Sequence, residues 1–304
     1  MKEKESEKMS IYMRTLKAVH GAFTNPKAVS PEELAKQRAE MEIFSRLITP
    51  TIGVSTKSFK VGEIPCEETS PDFSHREDRV VLYCHGGGYT CGGLNYARIL
   101  ASKLSLHTGL KVFSFEYGLA PEHKYPEAID EAVSVYDYLL NKGYGAGNII
   151  IAGDSAGGNL TLEICIRLIE QERFLPRALV LFSPWTDMRA VNPSYETLKD
   201  KDPLLTREYV ESVRSAYTNE GDDFEDPHLS PLLYDFKNMP PVLIQVGSNE
   251  ILRDDSEKLA KKLTKSGSFA RLQIIQGGWH VFQQMPIVKA NKALKDVDKF
   301  LKEI

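Results

Sequence analysis

The sequence predicts an α/β domain built on a mostly parallel sheet with helices on both faces, and three observations carry that prediction. From about Arg79 onward, short apolar runs alternate with longer stretches of helical periodicity. The runs are the unbroken kind expected of strands covered on both sides. The 304 residues, 42% hydrophobic and 26% charged, suffice for one globular domain with a full core.

Taken in order, Gly53 to Val61 and Ile64 to Glu68 alternate polar and apolar residues around a turn at Gly62, which predicts an antiparallel start to the sheet. The expected parallel strands are Val80 to Cys84, Lys111 to Phe115, Asn148 to Ala152, Ala178 to Phe182, Val242 to Val246 and Leu272 to Ile275. Helices are predicted near Tyr96 to His107, Glu127 to Lys142, Gly157 to Glu172, Asp255 to Ser266 and Val288 to Ile304.

Two stretches depart from the alternation. Ser10 to Arg46 places Ile11, Leu16, Val19, Leu34, Met41 and Ile43 to Phe44 at helical spacing, with Pro26 and Ser30-Pro31 marking a break and a new helix start. Thr186 to Asp235 separates two strands by more residues than a compact connection needs and carries a helical pattern around Thr206 to Tyr217. Together, residues 1–46 and 186–235 are expected to form a cap over the C-terminal ends of the strands, with residues 47–185 and 236–304 as the core. Met9, Tyr12, Met13 and Phe23 are candidate lining for an apolar pocket, a reading that competes with ordinary core packing.

The formal charge of −4 and the lack of a basic stretch argue against nucleic acid as a partner. Met1 to Ser10 is rich in Lys and Glu with no apolar run behind it, and no window is long enough for a membrane span, so a cytoplasmic location is expected. Cys66, Cys84, Cys91 and Cys165 lack metal-type spacing and read as free packing thiols; no metal is expected.

The chemistry-bearing candidates begin at Gly153-Asp154-Ser155-Ala156-Gly157, which follows an apolar run and precedes a helical stretch. A serine at such a strand-to-helix turn adopts a strained backbone that presents its Oγ above the sheet, and the glycines avoid collision where strand and helix cross. The N–H of Ala156, at the positive end of the helix, faces the place where a carbonyl oxygen would gain charge. His85-Gly86-Gly87-Gly88-Tyr89 follows the strand at Val80 to Cys84; three glycines allow close backbone approach and inward N–H groups. A phosphate loop would add a Lys-Ser/Thr pair, which is missing, so this loop is expected to form the second half of an oxyanion hole.

A nucleophilic serine requires a base and an orienting acid, in the chain order serine, acid, histidine. His280 stands just beyond the last predicted strand, whereas His20, His75, His107, His123 and His228 lie in peripheral stretches, in turns or in the expected cap. For the acid, Glu250 comes soonest after the strand at Val242 to Val246. Asp254 is the alternative, although Asp254 and Asp255 read as the cap and first turn of the next helix. A neutral His280 base would make activity fall as pH drops through about 6 to 7.

From Phe59 to the end, the chain resembles the hormone-sensitive-lipase-like branch of the α/β hydrolases, the bacterial esterases with an H-G-G-G motif. The resemblance rests on His85-Gly86-Gly87-Gly88, on Tyr117-Gly118-Leu119-Ala120-Pro121-Glu122-His123 followed by Tyr125-Pro126, and on Gly153-Asp154-Ser155-Ala156-Gly157-Gly158-Asn159. Ser183-Pro184-Trp185-Thr186-Asp187, Ser230-Pro231 and Trp279-His280-Val281-Phe282 complete it. It implies an eight-stranded core with a helical cap. It also implies hydrolysis of short- to medium-chain acyl esters without a cofactor, through an acyl-enzyme, with an oxyanion hole from the N–H groups of Gly87, Gly88 and Ala156 and with His85 shaping the loop. The partner implied is a small-molecule ester, and a homodimer is open by the same analogy. Two positions depart from the family: Glu250-Ile251 stands where Asp-Pro is usual, and Val281 where Gly is common. Deacetylation or lactone opening would use the same residues. A non-catalytic ligand-binding protein, as in the similar plant gibberellin receptors, is disfavoured because His280 is retained.

Overall fold

The computed structural model describes residues 30–48, 52–73 and 76–304. The expectations placed on residues 1–29, including the charged N-terminus and Met9, Tyr12, Met13 and Phe23, lie outside the described residues. One sheet of eight strands runs β1 (Val54–Val61), β2 (Ile64–Pro71), β3 (Arg76–Cys84), β4 (Leu110–Phe115), β5 (Ile149–Asp154), β6 (Ala178–Phe182), β7 (Val242–Gly247) and β8 (Ala270–Ile275). Its spatial order is β1-β2-β4-β3-β5-β6-β7-β8. β1 and β2 form the predicted antiparallel hairpin, with Val61 opposite Ile64 across a turn that Gly62 opens at φ 56°. β2 also pairs antiparallel with β4, and every pair from β4 to β8 is parallel.

The helices are α1 (Pro31–Leu47), α2 (Leu94–Thr108), α3 (Glu127–Asn141), α4 (Ala156–Glu170), the short α5 (Ser194–Thr197), α6 (Arg207–Tyr217), α7 (Arg253–Lys265) and α8 (Val288–Glu303). Strand alternation sorts them into two layers. Val81 and Tyr83 of β3 and Ile150 and Ala152 of β5 pack against Leu100 and Leu104 of α2 and Leu294, Val297 and Phe300 of α8. Their neighbours Val80, Leu82, Ile149 and Ile151 face Ile129 and Leu139 of α3, Leu160 and Ile164 of α4, and Leu259 and Leu263 of α7. Both faces of β3, β5, β6 and β7 are covered, which is why their sequences read as unbroken apolar runs.

Several boundaries shift from expectation. β2 runs three residues past Glu68 to Pro71, and β3 begins at Arg76. Asn148 closes a 3-10 turn (Ala146–Asn148) rather than opening β5, which continues to Asp154 and delivers the chain directly to Ser155. The new helix start at Ser30-Pro31 is present: Ser30 Oγ accepts the Glu33 N–H at 3.2 Å, and α1 follows. In the long excursion between β6 and β7, Thr206 caps α6 by accepting the Tyr209 N–H at 3.1 Å. The short α5 had no sequence signal strong enough to announce it. α1 and α6 both lie at the C-terminal ends of the parallel strands, where their side chains share a cavity with the strand-end loops.

Candidate active site

Ser155 sits between β5 and α4 with φ 54° and ψ −119°, a conformation that L-residues seldom adopt. Its N–H continues the sheet ladder to Phe182 O at 2.9 Å, and its carbonyl accepts the Trp185 N–H at 3.0 Å, so the turn is held from the neighbouring strand. A Cβ on Gly153 would run into the Gly157 carbonyl, and one on Gly157 into the carbonyls of Cys84 and His85. Both glycines are therefore steric requirements of the crossing. Ala156 opens α4, so its N–H has no acceptor within the helix.

The glycine loop is fastened to this turn by the residue before the serine. Buried Asp154 accepts hydrogen bonds from the Gly86 N–H at 2.9 Å, the Tyr96 hydroxyl at 2.8 Å and the Tyr83 hydroxyl. Burial nevertheless raises its pKa to about 6, against the pull of those donors. His85 is fully buried and stacks on Tyr117 with ring centroids 4.2 Å apart. Its Nδ1 lies 2.7 Å from Gly86 O, and the Tyr117 hydroxyl donates to His85 O at 2.9 Å. Desolvation lowers the His85 pKa to about 4, so the ring is a neutral packing element beneath the loop. Gly87 (φ 114°) and Gly88 (φ 64°) reach the cavity, and the N–H groups of Thr90 and Cys91 close a turn on Gly87 O at 3.1 and 3.0 Å.

His280 lies on the loop after β8, only 8% exposed, and lines the same cavity as Ser155, Gly87 and Gly88. Its Nδ1 is 3.9 Å from Oε2 of Glu250, which is fully buried after β7. Ser183, in a left-handed turn after β6 (φ 47°), joins the two loops: its Oγ donates to Glu250 Oε2 at 2.9 Å and accepts the Val281 N–H at 3.1 Å. Burial works against charge on both partners. It pushes Glu250 well up, with nearby Asp202 adding to the effect, and drives the imidazole down to about 3. The ring is thus neutral, the form that can accept a proton.

The alternative acid, Asp254, is in the first turn of α7 as expected, but it is not brought to His280: its carboxylate accepts the Ser194 N–H at 2.9 Å. Asp255 likewise does not cap its own helix. It accepts the N–H groups of Thr186 and Asp187 at 3.0 and 3.1 Å and the Asn192 amide at 2.6 Å. Of the other described histidines, His107 bonds Lys103 O, His123 pairs with Glu127, and His228 lies between Glu163 and Glu170. His20 and His75 fall outside the described residues.

Three supporting residues escaped the sequence reading. For Ser183, the serine-proline pair at a strand end is a usable signal. Asp202 ties the excursion to the acid loop, its carboxylate accepting the N–H groups of Leu204, Leu205 and Ile251 at 2.9 to 3.0 Å. The buried Lys103 ammonium donates to the carbonyls of Gln283 and Gln284, holding the turn that follows His280. Neither of these two has a local pattern that reveals its partner.

The cavity has two apolar walls. Trp185, Leu205, Tyr209, Val210, Val213 and Leu252 form one, and Met41, Phe44 and Tyr96 the other. No helix among the described residues is long and apolar enough to cross a membrane. All four cysteines are free and buried.

Comparison with known proteins identifies the fold and the family. A family model described as the alpha/beta hydrolase fold matches residues 81–284. An esterase of Acinetobacter venetianus is 34% identical over 265 residues, spanning 86% of this chain and 87% of the relative. An acetyl-hydrolase of Streptomyces hygroscopicus is 32% identical over 277 residues, 90% of each chain. A crystal structure of an esterase from the bacterial hormone-sensitive lipase family superposes with a TM-score of 0.87 at 31% identity, covering 95% of this chain and 98% of that one. The chain belongs to the α/β hydrolases, in their hormone-sensitive-lipase-like branch.

Proposed function

We propose that this protein is a serine carboxylic ester hydrolase in which Ser155 is the nucleophile, His280 the general base and Glu250 the orienting acid. The observation that carries the reading is the convergence of Ser155, His280, Gly87 and Gly88 on one cavity, with Glu250 behind the imidazole. In this mechanism Ser155 Oγ adds to the ester carbonyl as His280 takes its proton. The N–H groups of Gly87, Gly88 and Ala156 hold the oxyanion. His280 then passes the proton to the departing alkoxide, leaving an acyl-serine, and water repeats the sequence to release the acid. The 3.9 Å gap to Glu250 is one that would shorten as the imidazole gains charge, since catalytic contacts tighten in the reacting complex.

The apolar walls suit short- to medium-chain acyl groups, and among the described residues no charged side chain lines the cavity. Relatives named esterase, acetyl-hydrolase and, in Pseudomonas putida, ethyl acetate hydrolase support the small end of that range. In this reading α1 and the excursion between β6 and β7 act as the cap, since both supply lining residues. The test is a panel of p-nitrophenyl esters from acetate to laurate, alongside an amide and a lactone, with wild type and Ser155→Ala. Turnover of the shorter esters by wild type, lost in the variant, is expected; a variant that kept wild-type turnover would remove Ser155 from the mechanism.

A further inference from the structure

A loop with three glycines has little stiffness of its own, since each residue without a Cβ has more backbone freedom to lose. The orientation of its N–H groups therefore depends on what grips it. From below, the core holds Gly86 through Asp154 and His85 O through the Tyr117 hydroxyl. From above, the grip comes from one face of α6. Residues 209, 213 and 217 are spaced four apart and so stand in a row. Tyr209 lies beside the Thr90 side chain. Val213 covers Gly88 so closely that a Cβ there would lie 3.0 to 3.2 Å from its side-chain carbons. Tyr217 stacks on Tyr89, with ring centroids 3.8 Å apart and planes within 4°.

Three further contacts make this row a clamp with fixed ends. The Tyr89 hydroxyl donates to Asn159 Oδ1 at 2.8 Å, which links the stacked pair to α4, the helix that starts at the nucleophile turn. At its C-terminal end α6 is pinned by the Tyr125 N–H on Tyr217 O at 2.9 Å and by Lys124 Nζ on Thr218 O at 3.0 Å.

We infer that α6 buttresses the oxyanion hole, with Tyr217 as the positioning residue that sets the Gly87-Gly88 backbone through its stack on Tyr89. The inference rests on the proposed role of those glycines, and it gives the excursion a task beyond roofing the cavity. A displacement of about 1 Å at a reacting group can cost about a hundredfold in rate, so a loosened loop should register in kcat.

The experiment compares wild type with Tyr217→Leu, Tyr217→Met and Tyr217→Phe on p-nitrophenyl butyrate. It also measures inhibition by a trifluoromethyl ketone, which forms an oxyanion on the serine, against the matching methyl ketone. Both aliphatic variants are expected to lose kcat by about tenfold or more with KM moved by less than about threefold, and to lose the preference for the fluorinated ketone by a similar factor. Tyr217→Phe, which keeps the stacked ring, should restore both. Because two aliphatic variants are run, a folding failure of one leaves the other to decide. Retention of kcat and of the ketone preference in a folded aliphatic variant would overturn the inference, as would a loss confined to KM or an equal loss in Tyr217→Phe. If wild type itself shows no preference for the fluorinated ketone, the oxyanion-hole reading fails, and the inference with it.

Discussion

Ser155 and Ser183 follow adjacent strands, and both have a positive φ, 54° and 47°. Each directs its N–H to the next strand, Ser155 to Phe182 O at 2.9 Å and Ser183 to Gln245 O at 2.7 Å. Beyond the backbone they differ. Ser155 lies between glycines, opens a helix to which its side chain makes no capping bond, and lines the cavity. Ser183 is followed by Pro184, is fully buried, and has its hydroxyl engaged by Glu250 on one side and the Val281 N–H on the other. A hydroxyl free of fixed partners can join a proton transfer, whereas one bound on both sides can only hold its partners in place. The positive φ is shared; the neighbours decide the role.

The comparison can be broken most directly at Ser155. Ser155→Ala is expected to lower kcat by at least about ten-thousandfold while leaving the thermal midpoint at or above wild type, because the strained turn no longer carries a needed hydroxyl. Residual activity near wild type would make the two serines equivalent. Glu250→Gln comes next, with a loss on the order of a thousandfold or more, set against a change within about threefold for Asp254→Asn. Steady-state kinetics showing the reverse ranking would move the acid to Asp254.

Ser183→Ala tests the other half of the pair. It should cost about ten- to a hundredfold in kcat with little change in KM, since it releases Glu250 and the Val281 N–H without touching substrate. It should also destabilise the fold by about 1–3 kcal/mol, readable in urea titrations, because a buried acceptor loses its donor. A KM effect alone would place Ser183 in binding.

The smallest effect concerns pH. The sequence suggested a loss of activity as pH falls through about 6 to 7, the range of an unperturbed imidazole. Burial moves His280 down to about 3, so protonation of the imidazole should cause no loss of kcat/KM between about pH 8 and about pH 5, and any loss in that range would belong to the upward-shifted Glu250 carboxyl. For stability the sign follows from the same shift. A histidine whose folded pKa is depressed contributes fully above its unfolded value of 6.5 and loses that contribution as pH falls toward about 3. Thermal midpoints of wild type should therefore drop across that window more than those of His280→Gln. An activity midpoint between pH 6 and 7 that NMR titration assigns to the His280 ring would restore the earlier expectation.

Much of this was legible in the chain itself. Unbroken apolar runs located β3 to β8 to within a few residues, and the alternation before Gly62 marked the hairpin. The Gly-Asp-Ser-Ala-Gly sequence announced its own turn, because the steric demand at Gly153, against the Gly157 carbonyl, acts within four residues. The acid was less accessible. Glu250, Asp254 and Asp255 occupy similar local sequence, and proximity along the chain could favour Glu250 but could not show that Asp254 would turn to Ser194 and Asp255 to Thr186 and Asp187.

What the sequence determined by itself was everything carried by short-range preference: the order and type of the elements, the strained serine turn, the glycine loop and the excursion long enough to cover them. The fold alone decided which loops lie side by side. The Ser183 bonds to Glu250 and Val281 join residues 67 and 98 positions apart, and α6 reaches the glycine loop across a still longer stretch of chain. Such contacts follow from the order of strands in the sheet, and strand order is set by the packing of the whole core rather than by any residue's own conformational preference.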